Sequence, residues 1–269
     1  MVLLKKITVI GGDDRLKYVK ENLKKQGYTV DTLGLYGDDN ADISTSQILI
    51  FPVPTTKDKT SVFTPLTNKK ILLKEIEKEF KDNQLILTCN YLFENKKCID
   101  YGALDSYALL NAVPTAEGAI KIAIENTSFT LWKSKVLIIG YGRVGKILAD
   151  RLKNLGSDVT ITARKPSDLA LADALGFKCL NTNQLNSTKL NFDIIMNTVD
   201  VKILEDESIK NSTADLLIEL STHGGFNLES ALDYGKKAIK APGLPGIIAP
   251  KTAAEILSNT INHIINSYN

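Results

Sequence analysis

The sequence has few cysteines and few histidines. Its three cysteines, Cys89, Cys98 and Cys179, are odd in number and show no CxxC spacing, and the 269 residues include two histidines. The small number and the spacing of these residues argue against a disulfide framework, and we expect no zinc or other metal site. We expect the thiols to be buried among apolar side chains, because a free cysteine packs as a small hydrophobe.

The sequence also lacks a strong excess of either charge and any long apolar run. The formal net charge is +2, too small to attract nucleic acid or an anionic membrane surface. No uninterrupted apolar run approaches the roughly 20 residues that span a bilayer. The first six residues lead directly into the apolar segment 7–10, without the features of a secretion signal. We therefore expect a cytoplasmic protein that binds neither nucleic acid nor membrane.

Short apolar runs alternate with helical segments along the first half of the chain, and this order predicts a parallel, doubly wound sheet. The predicted strands are 5–10, 28–33, 47–51 and 84–88, and the predicted helices are 13–26 and 69–81. A long helix is then expected to begin at Pro114 and Thr115 and to run to about 128. Thr115 would be its N-cap, with Glu117 in the first turn.

The alternation restarts after this helix. The predicted strands are 135–139, 158–162, 192–197, 215–220 and 237–240, and the predicted helices are 143–155, 167–175, 205–209, 228–234 and 251–265. The fold class is therefore α/β, with two doubly wound parallel-sheet domains. We expect the first domain over 1–112 and the second over 113–250. Whether the helix in 251–269 completes the first domain stays open.

A glycine motif at the start of the second array is the most informative segment. Gly140-Tyr141-Gly142-Arg143-Val144-Gly145 follows a buried strand and opens an amphipathic helix, which is the context that makes GxGxxG credible. The first glycine permits a tight turn, the second lets the backbone approach a diphosphate, and the third lets helix and strand pack closely. We expect these six residues to bind a dinucleotide through helix N–H groups. The second domain is then a Rossmann NAD(P)-binding domain, and the first is the substrate-side domain. The alternative is a glycine-rich turn that binds nothing.

The end of the next strand favours NADP(H) over NAD(H). NAD-binding domains usually place an acidic residue about 20 residues after the glycines, where it accepts from the ribose hydroxyls. This sequence has Arg164 and Lys165 there, with Ser167 close behind. A guanidinium can bind a 2′-phosphate through paired hydrogen bonds, whereas a carboxylate would repel it. The alternative is that the basic pair is only a solvated corner.

Two further strand ends should face the same crevice, because ligands gather at the carboxyl ends of parallel strands. One carries Asn197 and Thr198, and the other carries Ser221 and His223 before two glycines. Their small and polar side chains suit contacts with ribose and nicotinamide. The alternative is that both are ordinary strand-terminal turns.

Several motifs occur in an order that resembles one known family. They are the segments 7–13, 51–54, 111–118, 140–145 and 242–253. Together they resemble the A subunits of dipicolinate synthases from spore-forming bacteria, over nearly the whole chain. More distantly, the two-domain plan is similar to alanine dehydrogenases and adenosylhomocysteine hydrolases.

The resemblance implies a reaction, a partner and a setting. The reaction is oxidation of dihydrodipicolinate to dipicolinate, with hydride transfer to the nicotinamide cofactor, in the mother cell of a sporulating bacterium. A flavoprotein-like B subunit is the implied partner in a homo- or hetero-oligomer. The family's loop after the penultimate cofactor strand usually reads Ser-x-Pro-Gly-Gly, whereas this chain has His223 in place of the proline. That departure puts the geometry of the loop in doubt.

The catalytic and substrate-binding candidates carry weaker signals. His223 is the best general base by chemistry, but its absence from the family pattern argues against a catalytic role; Glu117 and Lys251 are further candidates. A dicarboxylate substrate needs cationic or N–H donors. The candidates for its binding are Arg15, Pro52, Thr115, Lys251 and Thr252. The alternatives are a solvated first-turn arginine and simple helix capping.

Three functions remain open from the sequence. The leading hypothesis is an NADP-dependent oxidoreductase that acts on dihydrodipicolinate. The second is a cofactor-binding or regulatory subunit whose partner performs the chemistry, because no obvious acid–base pair stands out. The third is a dehydrogenase of another small carboxylate, such as an amino or imino acid.

Overall fold

The computed structural model describes residues 5–37, 39–94 and 96–268. The chain divides into two compact units. The first comprises Met1–Asn111 and Pro245–Asn269, and the second comprises Ala112–Leu244. No helix in the described ranges is long and apolar enough to cross a membrane.

Eleven strands and nine helices are formed by the described residues. The strands are β1 (Lys6–Ile10), β2 (Thr29–Leu33), β3 (Ile48–Ile50), β4 (Leu85–Thr88), β5 (Cys98–Asp100), β6 (Lys135–Ile139), β7 (Asp158–Ala163), β8 (Lys178–Asn181), β9 (Ile194–Asn197), β10 (Leu216–Glu219) and β11 (Lys237–Lys240). The helices are α1 (Asp14–Lys25), α2 (Leu73–Ile76), α3 (Asp105–Asn126), α4 (Arg143–Asn154), α5 (Pro166–Ala174), α6 (Asp206–Lys210), α7 (Leu228–Asp233), α8 (Leu244–Ile248) and α9 (Pro250–Ser267).

The first unit contains a five-stranded sheet of order β2-β1-β3-β4-β5, in which every pairing is parallel. Helix α9 packs against α1, so the C-terminal segment completes this unit. Leu16, Val19 and Leu23 of α1 form one buried cluster with Leu257 and Ile261 of α9. Their spacing of three or four residues puts each set on one helix face, and that apolar face drives the packing.

The second unit contains a six-stranded parallel sheet of order β11-β10-β9-β6-β7-β8. This is a doubly wound Rossmann-type sheet, as predicted. Strand β6 lies between β7 and β9. From β6 the chain first adds strands on one side, β7 and β8, and then on the other, β9 to β11, so the strand order reverses at β6. Ligands of such sheets bind at this switch point, outside the carboxyl ends of the strands. The loops after β6, β7, β9 and β10 are therefore the ones that matter for the site.

Two predictions about helices are wrong. Helix α3 begins at Asp105, so Pro114 lies inside it and Thr115 and Glu117 are mid-helical residues instead of an N-cap and first turn. Proline is most common in a first helical turn, which is why its position was misleading. The helix expected over 69–81 is confined to α2 and one 3-10 turn, Glu77–Glu79. The short strands β5 and β8 were not predicted.

The cysteines were only partly predicted. Cys89 is buried as expected, but Cys98 is half-buried and Cys179 is exposed. Cys179 lies in β8, an edge strand of the second sheet. An edge strand has a neighbouring strand on one side only, so its residues are less covered than those of an inner strand. Because β8 itself was not predicted, the exposure of Cys179 could not be predicted either.

Candidate functional site

The glycine turn after β6 brings two loops into close contact. Gly140 has a φ of +100°, in the region that disfavours side chains. A Cβ at this position would come within 2.7 Å of Thr198 Oγ1 and 2.6 Å of Val199 Cγ2. Only glycine therefore lets the turn after β6 lie directly against the loop after β9.

The second and third glycines have different surroundings. Gly142 is the N-cap of α4, and a Cβ there would meet no atom within 4 Å. A Cβ at Gly145 would overlap the carbonyl oxygen of Gly140. Gly145 thus serves the packing of helix on strand, whereas the space above Gly142 is open. That space, at the positive end of the 12-residue helix α4, fits a diphosphate.

A cavity of about 270 Å³ adjoins this turn. It is lined by Gly140, Tyr141, Gly142, Ala163, Arg164, Lys165, Asp168, Thr182, Thr198, Val199 and Ile203. Six residues expected at a cofactor site from the sequence thus meet around one cavity. The other expected residues do not line it. Arg143, Val144 and Gly145 form the first turn of α4, and Ser167 lies in the first turn of α5. Asn197 is buried at the end of β9, and Ser221 is buried in the loop after β10.

The basic pair after β7 is exposed at the mouth of the cavity. Arg164 and Lys165 follow the last residue of β7, and the side chains of both are open to solvent. Asp168, which the sequence reasoning missed, also lines the cavity, but its carboxylate lies 3.7 Å from Lys146 Nζ. The Lys146 ammonium offsets this negative charge. The net local charge contributed by Arg164 and Lys165 therefore stays positive, as an additional phosphate requires.

A buried carboxylate, Glu219, organises the loops after β9 and β10. It is 2% exposed and accepts from Asn197 Nδ2 at 2.8 and 3.0 Å, from the amide and hydroxyl of Ser221 at 2.8 and 2.7 Å, and from the amide of Gly225 at 2.6 Å. Asn197 Nδ2 also donates to the carbonyl of Val199. The polar atoms of Asn197 and Ser221 are thus engaged within the protein. Glu219 was not singled out from the sequence. The signal that could have identified it is a carboxylate at the end of a buried strand.

His223 is held by Asp200, another residue that the sequence reasoning missed. The amide of His223 donates to Asp200 Oδ1 at 2.6 Å, and its ring Nδ1 lies 2.6 Å from Asp200 Oδ2. Burial raises the pKa of Asp200, but the hydrogen bonds from His223 outweigh it and the pKa lies below its usual value. The proline usual in the resembled family has no N–H and could not make the first bond. Asp200 therefore fixes the loop that the substitution had put in doubt.

In the first unit, Arg15 is buried and paired, so the expectation of a solvated surface arginine is wrong. Its Nε and Nη2 donate to the two carboxylate oxygens of Asp13 at 2.9 and 2.8 Å, and Nη2 also donates to the carbonyl of Val53 at 2.7 Å. Burial alone would lower the pKa of Arg15, but Asp13 keeps it above its usual value. A Cβ at Gly246 would come within 2.7 Å of Arg15 Nε, so helix α8 lies directly against this pair.

The remaining candidates lie in ordinary surroundings. Pro52 is buried after β3, and Thr115 is half-buried within α3. Glu117 is exposed on α3 and lies 3.4 Å from Arg151 Nη2. Lys251 and Thr252 are exposed in the first turn of α9. Of these, Thr115 and Glu117 belong to the second unit, and neither is among the residues that line the cavity beside Gly140.

Two family models match successive parts of the chain. Residues 6–107 match the family described as the N-terminal domain of the dipicolinate synthase A subunit. Residues 130–262 match the family described as the NADPH-binding domain of acetohydroxy acid isomeroreductase. The part of the chain that begins just before β6 thus has the fold of an NAD(P)-binding domain.

Individual relatives extend the match to nearly the whole chain. In the crystal structure of the dipicolinate synthase A subunit from Bacillus halodurans, 97% of each chain superposes with a TM-score of 0.87 and 26% identity. An L-alanine dehydrogenase shares the fold, with a TM-score of 0.66 and 15% identity over 97% of this chain and 88% of that one. The dipicolinate synthase A subunit of Bacillus subtilis strain 168 is 31% identical over 283 aligned positions, covering 97% of this chain and 95% of the relative. This chain therefore belongs to the family of dipicolinate synthase A subunits.

Proposed function

We propose that this protein oxidises dihydrodipicolinate to dipicolinate, with NADP⁺ as the hydride acceptor. The family supports this choice of substrate, since relatives that cover nearly the whole chain are named for the synthase of dipicolinate. The fold supports the reaction class, because the second unit is an NAD(P)-binding domain of the Rossmann type. The observation that carries the choice of NADP⁺ is the exposed pair Arg164–Lys165 at the cavity beside Gly142.

The residues of the cavity would divide the binding of the dinucleotide. The first-turn amides of α4, from Arg143 to Gly145, would hold the diphosphate at the open space above Gly142. Arg164, Lys165 and Ser167 would surround the 2′-phosphate. Thr198, at the end of β9, would face the nicotinamide side of the turn. Bound there, the nicotinamide supplies hydride-accepting chemistry, and the protein orients the substrate beside it.

Asn197 and Ser221 would act on the same site through the loops they hold, since their polar atoms bond within the protein. Among the first unit's residues, Arg15 is the cation we propose for a substrate carboxylate. It would bind through Nη1, since Nε and Nη2 already donate to Asp13 and Val53. The carbonyl end of β3 around Pro52, and Thr115, Lys251 and Thr252, are secondary candidates. The expected partner is a flavoprotein-like B subunit, and the expected setting is the cytoplasm of the mother cell during sporulation.

Turnover of freshly generated dihydrodipicolinate tests this function. The purified protein is mixed with substrate and either NADP⁺ or NAD⁺, each with and without the B subunit. Absorbance of the reduced nicotinamide and of the aromatic product should rise together, and faster with NADP⁺. Binding of NADP⁺ without turnover in every mixture would refute an oxidoreductase and favour a cofactor-binding subunit. Turnover of alanine or another small carboxylate, but not of dihydrodipicolinate, would assign a different substrate.

A further inference from the structure

The pair formed by Asp200 and His223 has the geometry of a proton-transfer unit. Asp200 binds the backbone amide and the ring Nδ1 of His223, each at 2.6 Å, so both the position and the orientation of the imidazole are fixed. The two residues lie on the loops after β9 and β10. The first of these loops begins with Thr198 and Val199, which line the cavity beside the glycine turn.

The hydrogen bonds determine which ring nitrogen carries the proton. An ionised carboxylate only accepts hydrogen bonds, so Nδ1 of the neutral imidazole must be the donor to Asp200. The proton-free lone pair is then on Nε2. The side chain of His223 is 78% exposed, so Nε2 is open to a ligand and to exchange with water. This is the tautomer that a general base requires.

The charged group that contacts the ring is Asp200. Glu219 is engaged with the same loops, where its carboxylate accepts from Asn197, Ser221 and Gly225. Lys202 is turned to Asp206, 3.8 Å away. An imidazolium formed at His223 would therefore have Asp200 as its immediate counter-charge, and this carboxylate stabilises the protonated ring.

We propose that His223 Nε2 accepts the proton released when the dihydropyridine ring becomes aromatic, with Asp200 as the positioning residue. This inference rests on the proposed function, and it is specific to this chain, because the proline usual at this position in the family could not accept a proton. One ring C–H bond breaks with its electron pair, which leaves as hydride to oxidised nicotinamide. The other C–H bond leaves its electron pair in the ring to complete the aromatic system, and its proton bonds to Nε2. The imidazolium then returns the proton to water.

The first test observes the histidine ring directly. The chain has two histidines, so a spectrum of protein labelled with ¹⁵N in histidine contains two imidazoles, and His263→Gln assigns them. We expect the free protein to show His223 protonated at Nδ1, and Asp200→Asn to move the proton to Nε2. Adding NADP⁺ and dipicolinate should shift the signals of His223 and leave those of His263, which lies exposed on α9, unchanged. Unchanged His223 signals would overturn the proposal.

The second test measures turnover against pH. His223→Gln keeps a donor for Asp200 but removes the base, so kcat should fall about 100-fold or more while NADP⁺ affinity is retained. The acid limb of the pH profile, in which the imidazole is protonated, should disappear. Asp200→Asn should lower kcat at least about tenfold, and His263→Gln should match the wild type. Wild-type kcat and pH profile in His223→Gln would refute the base.

The two proposals fail in different ways. If the wild type never oxidises dihydrodipicolinate, with or without its partner, the proposed function fails. The dipicolinate-dependent shift of the His223 ring still decides whether the pair faces the ligand. If the wild type is active and the variants equal it, the function stands and the assignment of the base fails.

Discussion

The buried carboxylate of Glu219 accepts two hydrogen bonds from Nδ2 of Asn197, at 2.8 and 3.0 Å. The two residues end the neighbouring strands β10 and β9, so this contact joins the loops that follow both strands. The amides of Ser221 and Gly225 donate to the same carboxylate, and so does the Ser221 hydroxyl. Glu219 thus compensates its own burial with four donor groups from three residues, as a buried charge must.

Replacement of Glu219 by glutamine should destabilise the second unit. The glutamine amide would present a donor to groups that are themselves donors, leaving buried N–H groups without acceptors. We expect the free energy of unfolding to fall by about 2 to 3 kcal/mol, measured by urea denaturation followed by circular dichroism. Glu229→Gln, at an exposed position in α7, should change it by no more than about 0.5 kcal/mol. Equal midpoints for the two variants would contradict this role.

The glycines of the turn should respond differently to alanine. At Gly142 a methyl group meets no atom within 4 Å and φ is −81°, so Gly142→Ala should fold normally. The methyl group would nevertheless occupy the space proposed for the diphosphate. We expect the affinity for NADP⁺ to fall at least about tenfold, or roughly 1.4 kcal/mol, with an unchanged melting temperature. Calorimetric titration measures the first quantity and thermal denaturation the second.

Gly140→Ala is the matched comparison. Its φ of +100° and the closeness of Thr198 and Val199 make any side chain strained there. The free energy of unfolding should fall by about 2 kcal/mol or more. Undiminished NADP⁺ binding by a well-folded Gly142→Ala protein would show that the diphosphate does not lie above this turn.

Arg164 should control the choice between the two nicotinamide dinucleotides. Removing its guanidinium by Arg164→Ala deletes charge-assisted hydrogen bonds to a 2′-phosphate, which contribute about 1.5 to 3 kcal/mol. The ratio of NADP⁺ to NAD⁺ affinity should therefore fall about tenfold or more, while the affinity for NAD⁺ stays the same. Lys189→Ala, at an exposed position that does not line the cavity, is the control for net charge. A ratio that Arg164→Ala leaves unchanged would remove the argument for NADP⁺.

The sequence was sufficient for features whose signal is local. A buried strand, a glycine turn and an amphipathic helix are consecutive in the chain, so β6, the turn at Gly140 and α4 could be placed within about a residue. The parallel order of the strands followed from the alternation of strands and helices. The cavity residues Arg164 and Lys165 were identifiable because strand ends converge at a known edge of such a sheet.

Features that depend on contacts distant in sequence could not be predicted in this way. Asp200 and His223 are 23 residues apart, and their pairing follows only once β9 and β10 are neighbours. Likewise, the burial of Arg15 depends on Val53 and on α8 near the end of the chain. The start of α3 was missed because Pro114, a frequent first-turn residue, is tolerated within this helix.

Alkaline pH should destabilise the first unit through Cys89. Burial raises the pKa of this thiol to about 12, from a value near 9.0 in the absence of the fold. The folded protein therefore keeps a proton that the unfolded chain releases, so the stabilisation is complete below pH 9 and is lost as pH rises towards 12. Burial also raises the pKa of Tyr101 and Tyr107 in the same cluster, which adds to the effect above pH 10.

Comparison with Cys89→Ala just above pH 9 isolates this thiol. The tyrosines of the unfolded chain are still protonated there, and Cys98 and Cys179, whose pKa values burial also raises, are present in both proteins. The free energy of unfolding of the wild type should decline more steeply than that of Cys89→Ala, by up to about 1.4 kcal/mol per pH unit. Urea denaturation in a phosphine reductant at successive pH values measures both slopes. Cys179→Ala, at an exposed position, should keep nearly the wild-type slope. Parallel curves for the wild type and Cys89→Ala would mean that Cys89 ionises equally in the folded and unfolded chains. That result would contradict the raised pKa of this buried thiol, which directly follows β4.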